Sequence, residues 1–290
     1  MSDLEMVLID GQQFDASTAS VPVLERALHY GDALFETIAC LEGRPRLLER
    51  HLRRLALGCD RLGLATPQAG LLASEVADLA RGTSRAVIKL LLTRGVALAR
   101  GYALAGGERP SRIALRYAWP REDPAWHEEG VRVHLATLRL GENTALAGIK
   151  HCNRLEQVLA RREWTDPAIA EALLFSSSGA LVSGTMSNVF LVHGSKLLTP
   201  LIDRCGVAGI MRGLVLEIAS AAGILAQERR LDAADLEAAE EVFLTNALSG
   251  IRPVRELAGE QRAPGPVTRL LQTRLAARLA VEVHSGGARD

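Results

Sequence analysis

Lysine is nearly missing from this 290-residue chain: Lys89, Lys150 and Lys196 are the only lysines among 34 basic residues, and the rest are arginines. Chemistry that needs a primary amine therefore has three candidates. Net charge is missing too, because 34 acidic residues balance the basic ones. With no net field to attract a polyanion, nucleic-acid binding and attachment to an anionic membrane surface lose their electrostatic basis. Cysteine is sparse. Cys40, Cys59, Cys152 and Cys205 share no CxxC spacing and have no paired histidines beside them, which argues against a zinc site or a redox pair and for a reducing compartment. No window nears the roughly 20 apolar residues of a membrane-spanning helix, and the first residues carry acids where a secretory signal has a basic region. These absences predict a cytoplasmic protein with no nucleic-acid, membrane or metal partner. What is present, 48% apolar and 23% charged residues, is the composition of one large or two ordinary globular domains.

The pattern along the chain predicts an α/β (α+β) protein in two domains. Met6–Ile9 running into Asp10-Gly11, and Leu34–Cys40 running into Glu42-Gly43, read as antiparallel hairpins. Leu48, Leu52, Leu55, Cys59 and Leu62 recur at helical spacing and predict a helix over 47–64, with a second over 71–81. Strands over 86–93 and 113–118 flank a loop rich in arginine and glycine, so a sheet with helices on one side is expected. Pro120 and Pro124, set among charges, suit neither a helix nor a central strand. The expected division is a small N-terminal domain over 1–118, a linker over 119–128 and a larger domain over 129–290. Strands over 131–140, 172–176, 189–193, 196–199 and 241–245, and helices over 154–164, 210–222 and near 267–281, fill the second domain.

The three lysines differ in setting. Lys89 alternates with Ile88 and Leu90, which predicts a solvent-facing side chain, and Lys196 stands at a hairpin corner after Gly194-Ser195. Lys150 follows Ala147-Gly148-Ile149 and precedes His151-Cys152-Asn153, with Asn153 placed to cap the next helix, a position from which a side chain can point into a cleft. Two stretches suit an anion. Gly206 to Arg212 leads directly into a helix, so the amides of Gly209, Ile210 and Met211 would face a phosphate with the helix dipole behind them, unless the glycines merely start the helix. Thr245-Asn246-Ala247-Leu248 ends a strand with small polar side chains and open amides, and Arg54 offers a fork of donors.

Six segments resemble, in order along the chain, the fold-type IV pyridoxal-phosphate enzymes, a family that includes the branched-chain and D-amino-acid aminotransferases and aminodeoxychorismate lyase. They are Gly31 to Thr37, His51 to Leu55, Ile149 to Gln157, Gly184 to Phe190, Gly206 to Arg212 and Thr245 to Val254. Within the family, Lys150-His151-Cys152-Asn153-Arg154-Leu155-Glu156-Gln157 and the run from Thr93-Arg94-Gly95 to Arg100-Gly101-Tyr102 look like the lyase. The resemblance implies a two-domain fold like that of D-amino-acid aminotransferase, with pyridoxal 5'-phosphate in the cleft between domains. It implies a homodimer that acts on a small molecule, here 4-amino-4-deoxychorismate, releasing 4-aminobenzoate and pyruvate for folate synthesis. It makes Lys150 the catalytic, cofactor-bonded lysine and places Arg54, Ser183, Asn188, Gly209, Ile210, Met211, Asn246 and Ala247 around the cofactor. Thr37, Arg100 and Tyr102 would then meet the substrate. An aminotransferase shares the same lysine and phosphate residues and stays open as an alternative.

One position departs from the family pattern. Ser183 stands where the family carries a glutamate that pairs with the pyridine nitrogen of the cofactor. A neutral hydroxyl leaves that nitrogen less protonated and the ring a weaker electron sink. The departure implies a bias toward elimination, which an aromatic product helps to drive, a cofactor-binding protein with weakened catalysis, or another donor in place of the glutamate.

Overall fold

Most of the apolar sequence goes into two sheets. The structure, a computed structural model, describes residues 4–285; the extreme ends of the two expected domains, 1–3 and 286–290, lie outside the described residues. The chain divides into two units, the first running to Pro120 and taking in Ile149–Asn153, the second comprising Arg121–Gly148 and the chain from Arg154 onward.

The first unit contains β1 (Leu4–Ile9), β2 (Gln12–Phe14), α1 (Arg26–Tyr30), β3 (Ala33–Leu41), β4 (Arg44–Pro45), α2 (Leu48–Leu62), α3 (Ala69–Ala80), β5 (Arg85–Thr93) and β6 (Arg112–Ala118). Its six strands form one antiparallel sheet in the order β2-β1-β6-β5-β3-β4. The central strand β5 buries Ile88, Leu90 and Leu92 completely. Ile149–Asn153 joins this unit through β3: the Phe35 amide donates to the Lys150 carbonyl and the Cys152 amide to the Ala33 carbonyl, both at 2.9 Å. Asn153 packs where a Cβ on Gly31 would lie, and Gly31, closing α1 at φ 65°, needs to be glycine for its backbone as well. Lys150 therefore does not go with the larger domain, where the sequence division put it. Its short segment has no core of its own and takes its backbone partners from β3.

The second unit begins with α4 (Ala125–Glu128), β7 (Val131–Leu140), α5 (Leu155–Arg161), β8 (Ile169–Ser176), β9 (Leu181–Gly184), β10 (Asn188–His193) and β11 (Lys196–Pro200). It continues through α6 (Ile210–Ala221), β12 (Leu225–Arg229), α7 (Ala233–Glu237), β13 (Glu241–Asn246), β14 (Gly250–Leu257), β15 (Glu260–Gln261) and α8 (Pro266–Ser285). The sheet order is β12-β11-β10-β13-β14-β7-β8-β9, with β15 on β14. Phe190 and Phe243 stack in its core, ring centroids 4.9 Å apart. The expected linker over 119–128 ends differently: its second half is α4, and Trp126 packs against this unit's core. The proline-rich stretch is a turn that leads into an anchored helix. Strand β14 was invisible to periodicity because Pro253 argues against a central strand, yet the ladder to β7 starts only at Val254, so the missing amide is not needed there. Glu241, buried, accepts from the amides of Val267 and Thr268 at 3.0 and 2.7 Å and fixes the start of α8. Among the described residues, no helix is long and apolar enough to cross a membrane and no group of three or more potential metal ligands gathers.

Candidate active site

Strand alternation sends Phe35 and Thr37 to one face of β3 and Glu36 to the other, and the two faces do different things. On the first face, the Lys150 amine lies 4.2 Å from the centroid of the Phe35 ring. The Lys89 amine lies 5.3 Å from the same centroid, and Lys89 pairs directly across from Thr37 in the β3–β5 register. Lys89 is thus half-buried on the face of Phe35 and Thr37, not directed to solvent as alternation suggested. Both sides of β5 are covered, so an apolar neighbour at 88 or 90 did not reveal which side was open. Lys196, by contrast, is exposed at its hairpin corner as expected.

On the opposite face, the fully buried carboxylate of Glu36 receives a hydrogen bond from Arg54 Nε at 2.8 Å, a second from the Arg54 fork, and His51 Nδ1 at 2.6 Å. Burial works to raise the Glu36 carboxyl, but the Arg54 charge and the bonds from His51 and Arg54 outweigh it and hold the group below the usual carboxylate range. The fork of Arg54 is therefore pre-set by Glu36, on a helix, with little freedom to lose on meeting an anion. Sequence reasoning singled out Arg54 but not its contact with Glu36, which it shares with His51 and which joins segments apart in the chain.

The second unit carries the candidate anion site. Gly209 caps α6, a helix of 12 residues, with extended backbone and no side-chain cap. Asn188 holds the approach to that helix: its Nδ2 donates to the Val207 carbonyl at 3.0 Å, and its Oδ1 occupies the space a Cβ on Gly209 would need. An α-helix leaves its first amides without intrahelical partners, so those at Gly209, Ile210 and Met211 are of the kind that suits a phosphate. Asn188 also pairs with Thr245 across β10 and β13. Next to Thr245, Asn246 Oδ1 accepts from the amides of Leu248 and Ser249 at 3.0 and 2.8 Å and so fixes the turn that presents Ala247. Asn188 and Asn246 thus each hold loop backbone in place through a side-chain amide.

Ser183, buried on β9, donates its hydroxyl to the Gly184 carbonyl at 2.8 Å. The neighbouring buried carboxylate, Glu171, is occupied: it accepts from the amides of Thr185 and Met186 at 2.9 and 3.1 Å, from Ser187 Oγ at 2.9 Å and from the Thr185 hydroxyl. Glu171 thus has both carboxylate oxygens engaged in shaping the 185–187 turn. It was missed in the sequence because a single acid in an apolar strand gives no pattern.

Arg100 and Tyr102 lie in the long connection between β5 and β6, both exposed. The Tyr102 ring sits 5.3 Å from that of Tyr30. Burial pushes the Cys40 thiol up to about 12, and burial with the charges of Glu142, Glu156 and Asp203 pushes Cys205 up to about 11, so neither is a thiolate near neutral pH.

In the first unit a lysine held by backbone bonds and an arginine aimed by a buried carboxylate, and in the second a twelve-residue helix begun by Gly209, are each groups that a phosphate-bearing aldehyde cofactor calls for. Among known proteins, the chain is 32% identical over 259 residues, 88% of its length and 95% of the other's, to an aminodeoxychorismate lyase of Vibrio harveyi. It is 30% identical over 277 residues, 92% of its length and 93% of the other's, to a putative branched-chain-amino-acid aminotransferase of Methanocaldococcus jannaschii. Its structure matches that of a 4-amino-4-deoxychorismate lyase of Pseudomonas aeruginosa with a TM-score of 0.89 and 42% identity, over 94% of this chain and 99% of that one. The family model for amino-transferase class IV matches residues 33–257, and the chain belongs to that family of pyridoxal-phosphate enzymes with the fold-type IV architecture.

Proposed function

We propose that the chain is a 4-amino-4-deoxychorismate lyase, a carbon–oxygen lyase that forms 4-aminobenzoate and pyruvate. The observation that carries this is the 42% identity to the Pseudomonas lyase over nearly the whole of both chains. In this reading Lys150 bonds the cofactor, Arg54 and the amides of Gly209, Ile210, Met211 and Ala247 hold its phosphate, and Asn188, Asn246 and Ser183 complete the surroundings. Bound pyridoxal phosphate supplies an electron sink for the carbon that bears the substrate nitrogen. Lys150 takes the proton from that carbon as general base, its backbone locked to β3 and its amine held over Phe35. The bond from the ring to the enolpyruvyl oxygen then breaks with its electron pair on oxygen, and Lys150, having gained a proton, is a donor for the departing group. Arg100 pairs with one substrate carboxylate, and Thr37 and Tyr102 orient the other end.

A second reading, an aminotransferase, is favoured by the 30% identity to the Methanocaldococcus protein. Incubation with 4-amino-4-deoxychorismate, followed by assay of 4-aminobenzoate and pyruvate, decides for the lyase. Conversion only of an amino acid with 2-oxoglutarate decides for the transferase. The reading includes a homodimer, supported by Leu155, Val158 and Leu159, which lie exposed at helical spacing on α5; a monomer mass in analytical ultracentrifugation would count against it.

A further inference from the structure

The loop that carries Arg100 and Tyr102 is attached to the first unit at its stem in an ordinary way. Glu25 forms an antiparallel bridge with Val96, the Arg26 amide donates to the Gly95 carbonyl at 3.0 Å, and the Ala97 amide donates to the Leu24 carbonyl at 2.9 Å. The tip is held differently. Arg26, buried, sends NH1 to the Gly101 carbonyl at 3.4 Å and NH2 to the Tyr102 carbonyl at 3.2 Å. Its Nε donates to Asp32 Oδ2 at 2.9 Å, and its guanidinium covers the Tyr30 ring at 4.9 Å, the same ring that Tyr102 approaches. Gly101 sits at φ 99°, so the two carbonyls are turned toward Arg26 by a backbone conformation a side chain would resist. A planar fork with two parallel donors can hold two successive carbonyls where an ammonium cannot.

We propose that Arg26, fixed by Asp32, is a positioning residue that straps the tip of this loop and thereby sets the affinity for the substrate carboxylate that Arg100 meets. The inference rests on the lyase reading for the role of Arg100. All the side-chain nitrogens of Arg26 are engaged within the protein, with Asp32 and the Gly101 and Tyr102 carbonyls, so its effect is through the loop. Arg100 is exposed and takes its place from the backbone beside it, so a tip released from Arg26 carries the guanidinium away from its ligand. Misplacement by about 1 Å is enough to cost up to about a hundredfold in the reaction it serves.

The test uses the holoenzyme and the variants Arg26→Gln, Arg26→Lys and Arg100→Ala. Trypsin cleavage after Arg100, timed and mapped by mass spectrometry, reports release of the tip without reference to activity. Expected for Arg26→Gln is faster cleavage at that bond and a KM for 4-amino-4-deoxychorismate raised about tenfold or more, with kcat changed much less and the cofactor still bound. Arg26→Lys keeps the charge beside Asp32 but not the fork, so it should share the faster cleavage in milder form; it decides the matter if Arg26→Gln does not fold. Unchanged cleavage in a folded variant overturns the proposal, as does an unchanged KM in Arg26 variants beside a raised KM in Arg100→Ala. Should the wild-type enzyme fail to convert 4-amino-4-deoxychorismate, the lyase reading fails by itself, and the cleavage rates still decide whether Arg26 is the strap.

Discussion

Lys150 and Lys89 set their amines against one ring, 4.2 and 5.3 Å from the centroid of Phe35. Two of the three lysines in the chain thus meet on one face of a sheet, and their roles in the proposed reaction differ. Lys150 is the reactive amine. Lys89, opposite Thr37, is a fixed cation on the same face, suited to a substrate carboxylate.

Lys89→Met removes that cation while keeping a side chain of similar length. A hydrogen bond to a charged group contributes about 1.5–3 kcal/mol, so KM for 4-amino-4-deoxychorismate should rise roughly 10- to 100-fold. Borohydride reduction followed by peptide mapping should still find the cofactor on Lys150; a cofactor found on residue 89 in the wild type would reverse the assignment.

Glu36→Ala leaves His51 and Arg54 packed without their shared carboxylate. Breaking a buried pair in this way costs about 3–5 kcal/mol, read as a fall in denaturant midpoint. Equilibrium dialysis should also show weaker binding of pyridoxal phosphate, because the Arg54 fork loses the partner that aims it.

Asp32 predicts a pH effect. Burial favours its neutral form, but hydrogen bonds and charge from Arg94 and Arg26 outweigh that and hold its carboxyl below the ordinary 3.8. The unfolded chain then binds the proton more readily than the folded one, so the stabilisation is complete above the ordinary value and is lost as pH falls through the lowered one. Thermal unfolding across pH 3 to 7 should show Asp32→Asn less stable than wild type at pH 7, with the gap closing on acidification.

Ser183→Glu restores the acid that the family pattern carries. If the hydroxyl biases the cofactor toward elimination, the ratio of transamination to lyase turnover rises in the variant. An unchanged ratio would refute that role, and a rise in both rates together would mark Ser183 as a plain weakening.

Gly31→Ala asks a residue with a side chain to hold φ 65° and to displace Asn153. We expect a loss of about 2 kcal/mol or more in chemical unfolding. Because Asn153 ends the segment that carries Lys150, slower trapping of the cofactor by borohydride should accompany it.

What the sequence disclosed followed from how local the signal was. Lys150 and the glycine run before α6 stood out because few lysines compete and because an N-terminal helix turn needs no distant partner to expose its amides. Ser183 was legible as an exception within a pattern. Lys89 was misplaced because β5 is covered on both sides, and alternation then distinguishes the faces without saying which is open. The allegiance of Ile149–Asn153 and the arrangement of Glu36 with His51 and Arg54 depend on pairing between segments far apart in the chain, which no local spacing records. Pro253 concealed β14 although the ladder to β7 begins only after it, at Val254.

Asp32 accepts from two arginines that lead to different places: Arg94 goes on to the carbonyls of Leu62 and Gly63 at the end of α2, and Arg26 to those of Gly101 and Tyr102. In a genetic screen a single change at Asp32 would therefore score as a double lesion, one in folding and one in substrate use. A second-site suppressor that repairs either arm alone should restore only half of the phenotype.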